Sequence, residues 1–154
     1  MSSDLWSFSL TTYARPGVEQ ACLQLQAAGV NVCLLLCAAW LEERRISCNE
    51  QRLQQLREIA RTWDADVVRP LRALRMQWKD AAARDAGLHT LREQVKTLEL
   101  EAERHLLQRL EQTAQNWPQE ETADLSAWLE GVTADAAHLD RNALHQLRVA
   151  VTGT

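Results

Sequence analysis

The apolar residues of the chain concentrate in one stretch, residues 30–41, with the sequence VNVCLLLCAAWL. Because every residue there except Asn31 is apolar, no side of a helix formed by this stretch could face water. Such a helix either crosses a membrane or forms the core of a bundle, and about 12 residues fall short of the roughly 20 that a bilayer requires. The stretch therefore predicts a buried central helix and no membrane span.

The residues before this stretch predict two shorter helices. The first covers about residues 4–14, with Ser2 or Ser3 as its N-cap. Its apolar side comprises Leu5, Trp6, Phe8, Leu10 and Tyr13. The helix ends before Pro16, because proline disfavours helical backbone in the residue that precedes it. The second follows Pro16, repeats apolar residues at helical spacing and ends at Gly29.

The central helix and the helix after it have recognisable ends. Asn31 can cap the central helix, whose charged end at residues 42–45 must reach solvent. The run Ser47-Cys48-Asn49-Glu50 has the S-x-x-E form of a capping box, so a fourth helix is predicted to start there. This helix continues to about Trp63, with Arg57 on its solvent side.

Two amphipathic helices are predicted after residue 63. Pro70 implies either a kink or a new helix, and we favour a break with a new helix beginning near residue 68 or 69. That helix has a basic side and an opposed apolar side, formed respectively by Arg69, Arg72, Arg75 and Lys79 and by Val67, Leu71, Leu74 and Trp78. The longest helix follows and is stopped by Pro118. Its apolar arc contains Leu88, Leu91, Val95, Leu98, Ala102, Leu106, Leu110 and Trp117.

Glu99 is the most informative residue of the long helix, because it falls inside this apolar arc while Glu103 lies on the border. A carboxylate that faces a core must pair with a cation or shift its pKa, since an unpaired buried charge costs several kcal/mol. Arg72 and Arg75 are the candidate partners, with Arg75 nearer the core, whereas Arg69 faces solvent. These glutamates and arginines could join two helices, line a polar pocket for a small ligand, or be exposed, and we favour the first interpretation.

The end of the chain differs in character. Residues 118–154 combine acidic turns, a short apolar set at Leu125, Trp128, Leu129 and Val132, and a last helix around residues 139–151. At 154 residues the chain fits one domain. The predicted fold class is all-α, an irregular bundle of six or seven helices around the buried central helix. Residues 1–117 form the bundle core, and residues 118–154 form an acidic C-terminal helical hairpin or appendage of the same domain.

The charges are divided along the chain. Residues 44–79 contain nine basic and four acidic side chains, whereas residues 99–140 contain two basic and ten acidic ones. The basic side at Arg69, Arg72, Arg75 and Lys79 could be solvated, pair with the acidic end, or bind an anion. The net charge of -4, the sequence pI of about 5.6 and the lack of a recognisable binding motif argue against nucleic acid.

The cysteines and histidines do not form a metal or catalytic pattern. Cys33 and Cys37 share one helical face, but no second pair of ligands accompanies them. All four cysteines, Cys22, Cys33, Cys37 and Cys48, are therefore interpreted as packing residues. His138 and His145 share a face of the last helix with Asp135, and are interpreted as a surface pair because no nucleophile accompanies them. We assign no catalytic residue, no metal and no cofactor.

Four stretches carry a resemblance to a known family. They are the opening LWSFSLTTYARPGVEQACLQLQ, with the pattern LWxFxLxxYxRPGV, then VNVCLLLCAAWL, VVRPLRALR and LREQVKTLELEAER. Over about residues 5–110 the chain resembles a family of small, uncharacterised proteins, known mainly from gammaproteobacteria, that carries the label of a domain of unknown function. The resemblance implies a bacterial, cytoplasmic, helical protein, and it transfers no activity and no site residues.

The sequence favours a role in interaction over a role in catalysis. We expect a cytoplasmic adaptor or regulator that binds another protein, or a second copy of itself, through its charged helical surfaces. The main alternative is an enzyme or a small-ligand-binding bundle with a polar pocket near the paired charges, and the lesser alternative is a nucleic-acid-associated protein that uses the basic helix. The candidate ligand or partner surface comprises Arg69, Arg72, Arg75, Lys79, Glu99 and Glu103.

Overall fold

The protein is all-α, as the sequence predicts. The computed structural model describes residues 4–119, 127–134 and 141–152. The helices are α1 (Leu5–Tyr13), α2 (Val18–Ala27), α3 (Val32–Glu43), α4 (Glu50–Trp63), α5 (Arg69–Gln77), α6 (Lys79–Ala82), α7 (Ala86–Ala114), α8 (Ala127–Thr133) and α9 (Arg141–Thr152). A π-helical turn, Asp64–Val68, joins α4 to α5. With α4 and α5 counted as one helix, the described residues form eight helices, close to the six or seven expected.

The central helix, α3, is buried over almost its whole length, as predicted. Asn31 caps it by accepting a hydrogen bond from the Leu34 N–H at 3.0 Å, and every residue from Cys33 to Glu42 is buried. Helices α1, α2, α4, α7, α8 and α9 all contact α3, which explains why none of its sides needs to be polar. No helix within the described ranges is long and apolar enough to cross a membrane.

The charged end of α3 differs from the prediction. Glu42 was expected in solvent, but it is 1% exposed and accepts a 3.0 Å hydrogen bond from the Leu129 N–H. The Arg148 guanidinium lies 3.9 Å from the same carboxylate oxygen. Arg57 of α4, also expected in solvent, is half-buried and donates to the Gly131 carbonyl oxygen. Helices α8 and α9 therefore cover positions that look like surface in the local sequence.

The described part of the C-terminal region packs on the same core. Trp128 of α8 is fully buried and stacks on Trp117, with 5.9 Å between the ring centroids. Leu147 of α9 is also fully buried in this core. Leu125 of the predicted apolar set lies outside the described residues, and the division of the chain at residue 117 stays a prediction.

Two helices begin at residues that were not predicted as caps. Asp4 caps α1 by accepting a hydrogen bond from the Ser7 N–H at 2.7 Å, and the predicted caps Ser2 and Ser3 lie outside the described residues. Asn49 caps α4, while Ser47 Oγ accepts a 3.2 Å hydrogen bond from the Arg52 side chain. Aspartate and asparagine are as favourable as serine at the N-cap position. The sequence therefore located the start of each helix to within a few residues but did not identify the capping side chain.

The predicted break before Pro70 is absent. The chain stays helical through the π turn, in which the Arg69 N–H donates to the Asp64 carbonyl oxygen five residues earlier. Proline has no N–H, and its ring crowds the carbonyl group four residues before it. The wider π turn accommodates Pro70 without ending the helix. Single π turns inside α-helices occur frequently at functional sites.

Helices α5 and α7 form a hairpin in which the arginines of α5 face α7. Helix α5 contains no buried residue, and Arg92 of α7 donates a 2.8 Å hydrogen bond to the Arg75 carbonyl oxygen. Leu74, Leu91 and Leu98 were expected in the core but are exposed. The helical period located both helices correctly. It could not show that these leucines are exposed, because ion pairs between the arginines of α5 and Glu99 of α7 also hold α5 in place.

All four cysteines are free thiols, and three of them, Cys22, Cys33 and Cys37, are buried. Burial raises the pKa of the Cys22 thiol to about 11 and places the pKa values of Cys33 and Cys37 above the ordinary cysteine range. Cys48 is half-buried, and desolvation together with the nearby Glu50 carboxylate raises its pKa to about 11.

We expect a chromogenic disulfide reagent to modify Cys48 first and the three buried thiols slowly, because the reaction requires an accessible thiolate. In denaturant, all four cysteines should react rapidly. The time course of reagent release in native and denatured protein measures this difference. A rapidly reacting buried thiol, or stoichiometric zinc or iron in protein purified without added metal, would contradict the packing interpretation.

Candidate ligand pocket

A pocket of about 530 Å³ lies between α1, the junction of α2 and α3, the π turn with α5, and α7. Cavities of about 300 to 1,000 Å³ are typical of small-molecule sites. The walls comprise Trp6, Ser9, Leu10 and Tyr13; Gln26, residues 29–33 and Leu36; Asp64, Val68, Arg69, Arg72 and Arg75; and Glu99, Leu100, Glu103, Leu106 and Leu107. Of the six residues predicted as a ligand or partner surface, the pocket brings together all except Lys79.

Glu99 holds two arginines at the polar end of the pocket. Its carboxylate accepts hydrogen bonds from Arg75 Nε at 2.6 Å and from Arg72 Nε at 3.0 Å, and its side chain is only 9% exposed. The pairing expected from the sequence is therefore present. Burial opposes the charged form, but the hydrogen bonds from Arg75 and Arg72 outweigh it, so the pKa of Glu99 lies below its ordinary value.

Glu103 lies one turn further along α7 and is held more weakly. Its Oε1 is 3.5 Å from Arg72 Nη2, and Oε2 makes no hydrogen bond within the described residues. Burial, together with the neighbouring Glu99 charge, raises the pKa of Glu103 above its ordinary value. Two adjacent carboxylates whose pKa values shift in opposite directions are a pattern found often at functional sites.

Arg72 also contacts Gln26 of α2, a residue that the sequence analysis did not identify. With its amide oxygen facing the guanidinium, Gln26 accepts a hydrogen bond from Arg72 Nη1 at 2.9 Å. Arg72 thus connects α2, α5 and α7, and this network fixes the position of its guanidinium. Glutamine on an amphipathic helix is common, so no sequence signal distinguishes Gln26.

The outer end of the pocket carries Arg69. Its side chain is 72% exposed, as predicted, and its Nε lies 2.6 Å from Asp64 Oδ2. The terminal nitrogens of Arg69 make no hydrogen bond to the described part of the chain. Lys79, predicted on the same basic side, belongs to the separate short helix α6, is exposed, and does not line the pocket.

The remaining walls of the pocket are mainly apolar. Trp6 and Tyr13 of α1 lie on one side, and burial raises the pKa of Tyr13 above its ordinary value. The Arg104 guanidinium lies 4.9 Å from the centre of the Trp6 ring, a cation–π distance that holds the ring in place. Leu10 and Leu100 line the pocket yet are 55% and 56% exposed, which places them at its mouth.

Ser9 adds an unsatisfied polar group to this wall. The residue is buried, and its hydroxyl oxygen has no hydrogen-bond partner within the described ranges. A buried polar group without a partner costs about 1 to 3 kcal/mol.

Other candidates from the sequence have different positions. Cys33 lines the pocket and donates a weak 3.7 Å hydrogen bond to the Glu103 carbonyl oxygen, whereas Cys37 does not line it. His145 is exposed on α9. His138 and Asp135, which were expected to share a face with His145, lie outside the described residues.

We compare the stability of Glu103→Gln with that of wild type at two pH values. The difference is expected to favour the variant more at pH 8 than at pH 4. A folded-state pKa above the ordinary 4.5 means that the unfolded chain releases this proton first as the pH rises. Wild type therefore loses stability through that window, and glutamine, which does not titrate, avoids the loss. Glu99→Gln should show the opposite trend, because a lowered pKa gives stability above 4.5 that disappears as the pH falls.

Urea unfolding of both variants at pH 4 and pH 8 measures these trends. Glu101→Gln, at an exposed position of the same helix, is the control and should match wild type at both values. A loss of stability of Glu103→Gln, relative to wild type, that is larger at pH 8 than at pH 4 would contradict the expected trend, and would make Glu103 a structural partner of Arg72.

The comparisons with known proteins place the pocket within one family segment. A family model described as a protein of unknown function, DUF2390, matches residues 4–110. All residues that line the pocket, from Trp6 to Leu107, lie within this segment. No curated protein and no solved structure matches the chain. The resemblance to a family of unknown function is confirmed over this range, and the bacterial origin stays a prediction.

Proposed function

The chain belongs to the DUF2390 family, whose function is unknown, and we propose that it binds a small molecule with an apolar body and an anionic group. The observation that carries this proposal is the meeting of an ionic cluster and an apolar wall in one pocket of about 530 Å³. A cluster that only joined α5 to α7 would not require the additional wall from α1.

The anionic group is inferred from the arginines. Arg72 and Arg75 remain 28% and 27% exposed in their side chains, although both are paired with Glu99. Each guanidinium has five N–H donors, more than these contacts use. Arg69 is more exposed still, and its terminal nitrogens are available at the outer end. Fixed arginines with remaining donors suit recognition of a carboxylate or a similar anion.

The apolar body is inferred from the opposite wall. Trp6, Tyr13 and Leu36 provide a large apolar surface inside the pocket, and Leu10 and Leu100 extend it to the mouth. Ligand sites typically combine such a surface with a few well-placed polar groups.

A fluorescent probe, 8-anilino-1-naphthalenesulfonate, has this combination of aromatic body and single anion. We expect it to bind wild type with one-to-one stoichiometry, and Leu100→Asp to weaken binding about tenfold or more, because the variant puts a carboxylate at the pocket mouth. Leu98→Asp is the matched control. Leu98 lies on the same helix at similar exposure, 53% against 56%, but outside the pocket.

A second matched pair tests the arginine contribution. Arg69→Ala should weaken probe binding several-fold, whereas Lys79→Ala, which removes an exposed cation outside the pocket, should leave it unchanged. Equal effects of Leu100→Asp and Leu98→Asp, or of the two cation variants, would show that the probe binds elsewhere and would contradict the proposal.

The adaptor function expected from the sequence is the alternative, and a different surface favours it. Leu74, Leu91 and Leu98 are exposed on the α5–α7 hairpin, and none of them lines the pocket. An adaptor that used this surface would lose its partner in Leu98→Asp and keep it in Leu100→Asp, the reverse of the order expected for the probe.

The buried free thiols support a reducing compartment, the cytoplasm, as the location.

A further inference from the structure

We propose that the ligand is a zwitterion with its positive and negative groups on neighbouring atoms, as in an α-amino acid with a large apolar side chain. This inference rests on the proposed binding function and specifies the ligand class. Its basis is the position of Glu103 beside Arg72, with a carboxylate oxygen that makes no hydrogen bond to described residues.

The charges that line the pocket cancel. Three arginines, Arg69, Arg72 and Arg75, are matched by three carboxylates, Asp64, Glu99 and Glu103. A ligand with one net charge can bind, but it leaves this half-buried site with an uncompensated charge and should therefore bind more weakly than a neutral one. A zwitterion brings both signs and preserves the balance.

The six groups are not equally engaged. Arg75 and Glu99 are bound at 2.6 Å and Arg69 and Asp64 at 2.6 Å, so four of the charges already have short contacts. The contact between Arg72 Nη2 and Glu103 Oε1 is longer, at 3.5 Å. Ion pairs with short, well-aligned hydrogen bonds are the strong ones, so Glu103 is the carboxylate with most capacity for a new partner.

This weak pair has the arrangement that an α-amino acid requires. Glu103 can accept hydrogen bonds from an ammonium group, and the guanidinium group of Arg72 can donate to a carboxylate beside it. In an α-amino acid these two groups are attached to one carbon, so they can meet two adjacent protein charges of opposite sign. A ligand with only an anion also gains contacts with the arginines, but its charge lies next to Glu103, so it should bind more weakly than the zwitterion.

The apolar wall of the pocket indicates which kind of side chain the amino-acid ligand has. Trp6, held by Arg104 over its ring, lines the pocket together with Leu36 and Leu107. A pocket of about 530 Å³ has room for the largest natural side chain, and an aromatic ring can pack against Trp6 in an offset or edge-to-face geometry. Tryptophan is therefore the test ligand that fills the site best.

Three probes with the same indole body separate the charges. Tryptophan has both groups, indole-3-propionate lacks the ammonium, and tryptamine lacks the carboxylate. Calorimetric titration of the full chain at pH 7 should show tryptophan binding about tenfold or more tighter than either analogue, since each analogue lacks one of the two charged groups that form hydrogen bonds.

Glu103→Gln should weaken tryptophan binding about tenfold and leave indole-3-propionate binding unchanged or tighter. Glu101→Gln, at an exposed position of the same helix, is the matched control and should change neither. Thermal unfolding of each variant shows that it is folded before titration. Loss of tryptophan binding alone, with indole-3-propionate retained, is a result that a merely structural role of Glu103 would not produce.

Indole-3-propionate binding as tightly as tryptophan to wild type would overturn the zwitterion inference. Absence of tryptophan binding, with the anionic naphthalene probe still bound in the pocket, would overturn it too and leave the proposed function intact. If the naphthalene probe also fails to bind in the pocket, the proposed function fails as well. The two failures are therefore distinguishable.

Discussion

Leu35→Asp in the central helix is expected to leave the chain unfolded at 25 °C. Leu35 is fully buried, and its neighbours along α3 from Cys33 to Leu41 are apolar and buried as well. An unpaired carboxylate there costs several kcal/mol in desolvation, in addition to the lost leucine contacts. Because small domains are stable by only about 5 to 15 kcal/mol, we expect this change to remove most or all of the stability. Ala39→Asp should behave in the same way.

Thermal unfolding followed by circular dichroism measures this effect. The control adds the same charge at Gln54→Asp, on the exposed side of α4, and should shift the midpoint by no more than a few degrees. Arg57 is not a suitable control position, because its side chain contacts α8. A midpoint for Leu35→Asp within a few degrees of wild type would show that α3 is not the core of the bundle.

Glu99→Ala is expected to destabilise the protein by about 3 to 5 kcal/mol, the range for removing one partner of a buried ion pair. The change leaves the two cations, Arg72 and Arg75, close together on α5 without their shared carboxylate. Arg69→Ala should cost less than about 1 kcal/mol, because the Arg69 side chain in the ion pair with Asp64 is largely exposed to solvent. Urea unfolding gives both values.

A double-mutant cycle of Glu99→Ala with Arg75→Ala measures their coupling directly. We expect a coupling free energy of about 1 to 3 kcal/mol, as found for groups in one ion-pair network. Arg75→Ala alone should be milder than Glu99→Ala, since Glu99 keeps Arg72 as a partner. Coupling near zero, with both single variants fully stable, would mean that these charges do not hold α5 to α7.

The sequence was sufficient for features that depend on one helix at a time. The all-apolar run identified α3 as the core, and the position of Glu99 on the apolar arc identified a carboxylate that needs cations. The cations that could reach it, Arg72 and Arg75, shared one side of the neighbouring helix. Each of these predictions rests on helical periodicity within a single segment, and this periodicity can be read directly from the order of the residues.

The features that the sequence could not show depend on contacts between distant segments. Glu42 looked like the solvent end of α3, and only the docking of α8 and α9 buries it. The sequence also did not show that Leu74, Leu91 and Leu98, on the apolar sides of their helices, are exposed in the assembled structure.

The pocket illustrates the same limit. Charged residues of α5 and α7 were predicted as a cluster, but the apolar wall from α1 was not connected to them. Trp6, Leu10 and Tyr13 were assigned to the apolar side of the first helix together with Leu5 and Phe8. Leu5 and Phe8 are buried in the core, Trp6 and Tyr13 are partly buried against it, and these two line the pocket together with Leu10. The first helix contains more large apolar residues than one side of a short helix can bury. This excess could have indicated a second apolar surface.

The most direct test of the account is to locate a bound ligand through the tryptophan indole N–H signals in a two-dimensional ¹H–¹⁵N spectrum. Trp6 lines the pocket, whereas Trp128 is fully buried in the core and does not line it. During titration with 8-anilino-1-naphthalenesulfonate, we expect the Trp6 signal, assigned with Trp6→Phe, to shift and saturate while the Trp128 signal stays in place. A Trp6 signal that does not move while the probe binds would contradict a ligand site in this pocket.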